Sequence, residues 1–214
     1  MTSSAPVELL RQRDAEEVAA VVASVFAAEL AIAGWLVPHD LAKRERCLRE
    51  QFTLLVSAVF DRDGRVQGIR EQGQLAAVAV WSVHSGGEAR ELPGYGRKLR
   101  AITGEHYPRF RALDAVFAGT APQTAHHHLD FLAATTRGAG LGGRLLTSYL
   151  DWTDRLPVRP MVSLDASNTD AVRFYTRHGF SARGPVQIPG SDGLQVFPMK
   201  RHPPARPLSP PTPS

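Results

Sequence analysis

The sequence predicts an α/β (α+β) domain, in which strand-like apolar runs are separated by stretches of helical period. Three observations carry that expectation. "AAVAVW" (76–81) is apolar on both faces, the pattern of a central strand. Val18, Val21, Val22, Val25 and Phe26 recur at three- and four-residue spacing, as do Leu48, Phe52, Leu55, Val56 and Val59, and each set reads as a helix face. "TTRGAGLGGRLL" (135–146) then sets four glycines within six residues between a strand-like run and a helical one. Such a loop aims backbone amides at a phosphate.

In order, Val7 to Arg11 reads as a strand and Asp14 as the N-cap of the first helix. Pro38 interrupts, and Leu41 to Phe60 forms a second helix, closed by the turn "DRDG" (61–64). Val66 to Ile69 and Leu75 to Val83 are strands around a Gln72-Gly73 turn. Glu91 to Phe117 is helical but broken by Gly94, Gly96, Gly104 and Pro108. His128 to Ala134 is a strand, Leu141 to Arg155 a helix and Pro160 to Ala166 a strand. Asn168 to His178 is a helix stopped by Gly179 in the left-handed region. Phe180 to Ile188 and Leu194 to Met199 close the set as strands. We expect one domain over 1–202, and a disordered tail over 203–214, where half the residues are proline. No internal repeat is visible.

At 214 residues, 43% hydrophobic and 21% charged, the chain suits one well-cored soluble domain. Cys47 stands alone, which excludes an intramolecular disulfide and a cysteine-based zinc site. No secretory leader and no run of 18 apolar residues is present, so a cytoplasmic protein with no membrane contact is expected. The formal charge of +4 comes without a basic run interleaved with aromatics. Nucleic acid is therefore not an expected partner, while a mild positive balance suits a polyanionic cofactor.

The glycine loop admits two owners. Gly138, Gly140 and Gly143 satisfy the dinucleotide fingerprint G-x-G-x-x-G, with Asp165 near the position of a ribose-binding acid. Against an NAD(P)-dependent oxidoreductase stands the little chain that follows, too short for a doubly wound sheet. Arg137, Gly140 and Gly142 also satisfy [QR]-x-x-G-x-[GA], the pyrophosphate loop of acetyl-CoA-dependent acetyltransferases.

"DASNTDAVRFYTRHGF" (165–180) decides between them. With "HLDFLAATTRGAGLGGRLL" it resembles the GCN5-related N-acetyltransferase (GNAT) superfamily over 128–180, about a quarter of the chain. The resemblance implies a central mixed, mostly antiparallel sheet of six to seven strands, splayed at the fourth strand and flanked by helices on both faces. It implies acetyl-CoA as co-substrate and no metal. Leu132, Ala133 and Ala134 would hold the pantetheine and acetyl carbonyl at a bulge. Arg137, Gly138, Ala139, Gly140, Leu141, Gly142 and Gly143 would hold the pyrophosphate, with Arg137 contributing mainly backbone. Asn168 would contact the pantetheine arm, and Tyr175 would protonate the departing thiolate. One departure is the linker, since "AATT" before Arg137 is about two residues shorter than in most members.

"AAVAVWSV" (76–83) and "VQIPGSDGLQVFPMKR" (186–201) look like puromycin N-acetyltransferase-type enzymes, which implies a small primary amine, such as an antibiotic, as acceptor. A protein lysine or N-terminal acceptor and a non-catalytic acyl-CoA-binding module are the alternatives. The chain is expected as a monomer or homodimer. In "HHH" (126–128), alternation puts His126 and His128 on one face and His127 on the other, with no third metal ligand in view. Asp130 and His128 are the candidate bases, with His127, Glu29 and Glu91 behind them. Cys47 has no partner that would make it a nucleophile.

Overall fold

Val78 and Val80 point to one side of their strand and Ala77, Ala79 and Trp81 to the other, and all five are completely buried. That strand is the centre of the molecule. In the computed structural model, which describes residues 5–87 and 92–205, the first half runs β1 (Val7–Leu9), α1 (Ala15–Glu29), α2 (Ala31–Leu36), α3 (Leu41–Phe60), β2 (Arg65–Glu71) and β3 (Gln74–His84). The second half is α4 (Tyr95–Thr103), α5 (Tyr107–Thr120), β4 (His126–Ala134), α6 (Leu141–Asp154), β5 (Met161–Ala166), α7 (Thr169–Thr176), β6 (Ser181–Ala182), β7 (Val186–Gln187) and β8 (Gln195–Arg201).

The sheet order is β1-β2-β3-β4-β5-β8-β6, with β7 also on β8, and every pairing is antiparallel except β4–β5. Helices cover both faces. Val18, Val22, Leu48, Val56, Leu99 and Phe110 of α1, α3, α4 and α5 pack with Val78 and Val80 on one face. Leu145, Leu146 and Tyr149 of α6 pack with Ala79 and Trp81 on the other, with α7 at the margin. Trp81 and Tyr149 stack with ring centroids 3.7 Å apart. Their polar ends are satisfied: Trp81 Nε1 donates to Gln67 Oε1 at 3.2 Å, and the Tyr149 hydroxyl meets His127 Nδ1 at 2.9 Å.

Several elements differ from the sequence reading. Asp14 is the N-cap residue of α1, as expected, but its carboxylate accepts the Arg11 N–H at 2.8 Å and closes the preceding 3-10 turn, with no side-chain bond into the helix. Leu30 leaves helical geometry (φ −96, ψ 123), which splits off α2. Pro108 lies in the first turn of α5, where its missing N–H costs nothing, so it starts that helix instead of breaking one. The joint is Gly104, at φ +54. The expected strand over 180–188 divides into β6 and β7 about Gly184 (φ +81) and Pro185, which raises the strand count to eight among the described residues. Gly179 does stop α7 in the left-handed region, at φ +85, and Phe180 behind it is buried. Of the expected tail, 203–205 has no regular structure, and 206–214 lies outside the described residues, as does Glu91.

Candidate active site

The site begins where β4 loses a neighbour. β4 pairs with β5 only through His126–Leu129, against Met161–Leu164. Beyond Leu129 the two strands part, and β5 continues on β8 alone. On its other side β4 stays paired with β3 throughout, but the register slips. Leu129 faces Trp81 and Phe131 faces Val80, which leaves Asp130 as an extra residue in a bulge. The bulge interrupts the alternation of side chains. His127 and Leu129 lie on the α6 side, whereas Asp130 and Phe131 in succession both turn to the α1/α3 side.

The glycine loop follows directly. Thr135 donates both N–H and hydroxyl to Ala76 O, at 2.8 and 3.2 Å, and the chain then turns into α6. Gly138 and Gly140 sit at φ +78 and +72, and Gly140 is the N-cap of α6. The first helical bond is Arg144 N to Gly140 O, at 3.1 Å. The N–H groups of residues 138–143 therefore have no partner among the described residues, as at any helix start. Added to the helix dipole, they make a site for an anion. Leu132 lies under the loop, 3.7 Å from where a Cβ of Gly142 would be.

Opposite stands α7. Asn168 is its N-cap, with Oδ1 accepting the Ala171 N–H at 2.8 Å and Nδ2 donating to Ser167 Oγ at 3.3 Å. Tyr175 packs edge-on against Phe174 and Phe180, and burial pushes its phenol well above the ordinary range. Its hydroxyl bonds to no described residue.

These pieces line a cavity of about 1250 Å³ that runs from Gly138–Gly143, Asn168 and Tyr175, past the parting of β4 and β5, to Phe26, Phe52, Phe110 and Phe131. Its middle is a cluster of titratable groups. His84 stacks on His126 at 4.7 Å, and His126 Nδ1 lies 2.7 Å from Thr124 O, so that nitrogen carries the proton. His128 Nδ1 lies 2.8 Å from Ser163 Oγ, and its Nε2 lies 3.9 Å from Asp165 Oδ2. Burial, with His84 and His126 nearby, pushes His128 down to about 3, so it is neutral at any working pH. Burial pushes Asp165 up to about 6, against a hydrogen bond from Thr120. It pushes Asp130 up to about 7, although the Ser82 hydroxyl donates to that carboxylate.

The alternation expected of "HHH" holds: His126 and His128 face the cavity and His127 faces Tyr149. Glu29 does not stand free as a base, because Arg137 Nη2 pairs with it at 2.7 Å. The Arg137 side chain is thus engaged at the end of α1. Cys47 is half-buried, with its thiol pushed up to about 11 by burial, and makes no nucleophile. The sequence reading missed His84 and Ser163, which join the cluster from strands β3 and β5. It considered Asp165 only as a ribose ligand, and that reading falls. The sheet is antiparallel apart from one pair, and Asp165 is buried against His128 rather than at the edge of a parallel sheet.

Residues 109–202 match the acetyltransferase (GNAT) domain family. No curated protein sequence matches the chain. Among solved structures, a Corynebacterium glutamicum protein described as histone acetyltransferase HPA2 and related acetyltransferase is similar at 25% identity and TM-score 0.68, over 97% of this chain and 100% of its own. An agmatine N-acetyltransferase variant is similar at 18% identity and TM-score 0.62, over 94% and 100% of the two chains. A polyamine N-acetyltransferase of Drosophila melanogaster is similar at 18% and 0.59, over 92% and 99%. Fold and domain match together define an acyltransferase of the N-acetyltransferase class. Residues 109–202 are thus matched to the GNAT family, whose enzymes use acetyl-CoA as co-substrate.

Proposed function

We propose that this enzyme moves an acetyl group from acetyl-CoA directly to the primary amine of a small molecule with an apolar body. The observation that carries the reading is the continuity of the cavity, from unpartnered amides at 138–143 to an aromatic wall at Phe26, Phe52, Phe110 and Phe131. Its volume of about 1250 Å³ exceeds the ~300–1,000 Å³ of a single drug-sized ligand, so two reactants fit end to end. The residues present suit a CoA thioester. Arg137, Gly138, Ala139, Gly140, Leu141, Gly142 and Gly143 would hold the pyrophosphate, and Leu132 to Ala134, unpaired on the β5 side, the pantetheine and acetyl carbonyl. The Asn168 Nδ2 would reach the pantetheine arm while Oδ1 stays in the helix cap.

Acetyl-CoA supplies the acetyl group; the chain supplies position and protons. The neutral amine attacks the thioester carbon, a C–N bond forms, and the C–S bond breaks. Charge growing on the carbonyl oxygen is met by a β4 amide in the gap. The proton leaving the nitrogen goes to Asp130, which, at about 7, is the base in this cluster matched to neutral pH. His128, at about 3, is too weak a base and serves as a neutral hydrogen-bonding wall. Tyr175, kept protonated by its apolar packing, donates to the sulfur as negative charge builds there. The reading takes 1–202 as one catalytic domain with the proline-rich 203–214 outside it.

The resemblance to puromycin-type enzymes favours an antibiotic or other secondary-metabolite amine, and the agmatine and polyamine enzymes of like fold favour small amines generally. Both puromycin-like stretches lie on sheet strands, β3 and β7–β8, so they bear on the subgroup more than on the acceptor. The likeness to the HPA2-related protein favours a protein lysine or N-terminal acceptor as the second reading.

Free-thiol release from acetyl-CoA, measured across aminonucleosides, arylalkylamines, polyamines and a lysine peptide, tests the assignment. Turnover is expected with a small amine that carries an apolar group; turnover with the peptide alone would transfer the function to the second reading. With the accepted amine, Tyr175→Phe is expected to lower kcat by about 10²–10⁴-fold, the range typical of proton-transfer groups, and to leave acetyl-CoA affinity unchanged. Wild-type kcat in that variant removes Tyr175 from its role.

A further inference from the structure

A second cluster lies apart from the transfer site. His39, in the connection between α2 and α3, meets Glu105 and His106 on the 3-10 turn between α4 and α5. Nε2 of His39 and Nε2 of His106 each lie 3.9 Å from Glu105 Oε1. Ligand atoms of all three lie within 4.8 Å of one another, a property no other such group has among the described residues. The rings meet edge to face at 4.9 Å. His39 Nε2 is shut off from solvent and has no hydrogen-bond partner, a costly state for an imidazole nitrogen. Lys43 and Arg109 lie close enough to His106 for their charges to act on it.

We propose that His39, Glu105 and His106 bind a zinc ion that ties the α2–α3 connection to the α4–α5 corner. Two imidazoles and a carboxylate are a zinc donor set. Bonds of ~2.0–2.2 Å at tetrahedral angles put ligand atoms roughly 3.3–3.6 Å apart, so the two 3.9 Å gaps to Glu105 close by a few tenths of an ångström and the gap between the imidazoles, within 4.8 Å, by about an ångström or less through small ring rotations. The Glu105 side chain, 80% exposed, has the freedom to make that movement. Its exposure leaves the fourth position to water or an anion, and Lys43 and Arg109 favour the anion. Arg109 is itself held by Trp35 O at 2.6 Å, which keeps its charge turned toward α2. The two cations weaken the site relative to a bare zinc centre, so micromolar affinity is expected. The elements it joins wall the cavity: Ile32, Ala33 and Leu36 come from α2, and Phe110 from α5. Zinc here braces the acceptor wall and takes no part in acetyl transfer.

The test uses the untagged full chain, stripped with chelator and titrated with zinc against a chromophoric competitor. One zinc per chain at micromolar Kd is expected, with a rise in Tm on zinc addition. Glu105→Gln, at an exposed position, is expected to weaken binding at least tenfold, and His39→Ala with His106→Ala to abolish both binding and the Tm rise. Zinc-free melting of each variant reports whether the fold survives. His126→Ala is expected to bind zinc as the wild type does. No uptake at submillimolar zinc overturns the proposal. So does wild-type affinity in Glu105→Gln and the double variant, or loss of binding in His126→Ala, which would move the ion to the cavity histidines.

Discussion

At the scale of single residues, the glycines of the loop do different work. Gly140 sits at φ +72 with nothing within 4 Å of a built Cβ, so a side chain there meets a conformational cost and no clash. Gly140→Ala is expected to destabilise by about 1–2 kcal/mol, the cost of a left-handed L-residue, and to weaken acetyl-CoA binding as the loop relaxes. Gly142 is helical, and its Cβ would make an ordinary 3.7 Å contact with Leu132. Gly142→Ala is expected to leave acetyl-CoA affinity intact and to keep or raise Tm, since alanine is the better helix former by roughly 0.5–1 kcal/mol. Thermal melts and calorimetry with acetyl-CoA check both, and equal losses in the two variants would mean that space rather than φ decides. The spacing of these glycines is plain in the sequence. Which of them need positive φ is not, because that depends on how the chain leaves β4.

At the scale of elements, α7 is eight residues long and carries Tyr175 near its end, so its start matters. Asn168→Ala is expected to lower stability by about 1 kcal/mol through the lost cap. Asn168→Asp restores the cap acceptor but removes the amide donor. If Nδ2 also serves the pantetheine arm, the aspartate variant regains Tm while the KM for acetyl-CoA stays raised; recovery of both leaves Asn168 a capping residue only. The long helices α1, α3 and α6 were legible because their apolar period is long and regular, and β3 because it is apolar on both faces. Short strands were not. The 180–188 run looks continuous until Gly184 and Pro185 are seen to turn between pairings on one partner, β8. The site's central element was half legible. Alternation through 126–128 placed the histidines correctly, but a bulge is a mismatch between two strands, and neither strand alone records it. Asp130 and Phe131 therefore share a face that alternation assigns to one of them.

At the scale of the whole molecule, the sheet converts this bulge into a buried carboxylate, and the cost of holding it should be visible in stability. The residues after the glycine loop, Asn168 to Phe180, were enough to choose an antiparallel sheet over a doubly wound one. Ser82 reaches Asp130 from β3, while His84 of β3 and Ser163 and Asp165 of β5 reach His128, and that convergence exists only once the sheet is built. Asp130 has a folded pKa of about 7 against an ordinary unfolded value of ~3.9. Between those values the folded state holds the proton more tightly than the unfolded chain does. Stability from this group is therefore present below about pH 4, falls as pH rises, and levels off above about pH 7. His128, lowered to about 3, acts oppositely below its ordinary value near 6.5, but it does so equally in an Asp130 variant and cancels from the difference. Asp130→Asn keeps an acceptor for the Ser82 hydroxyl and removes the titration. The Tm of the variant minus that of the wild type is expected to grow from pH 4 to pH 7 and then hold steady. The same variant is expected to lose at least tenfold in kcat/KM, together with the limb of the pH profile that rises through neutrality. A carboxylate that costs stability at the pH where the enzyme works, and whose removal costs turnover there, is held for its chemistry. A variant that gains stability with an unaltered rate profile would make Asp130 a feature of the bulge alone and leave the amine's proton to solvent.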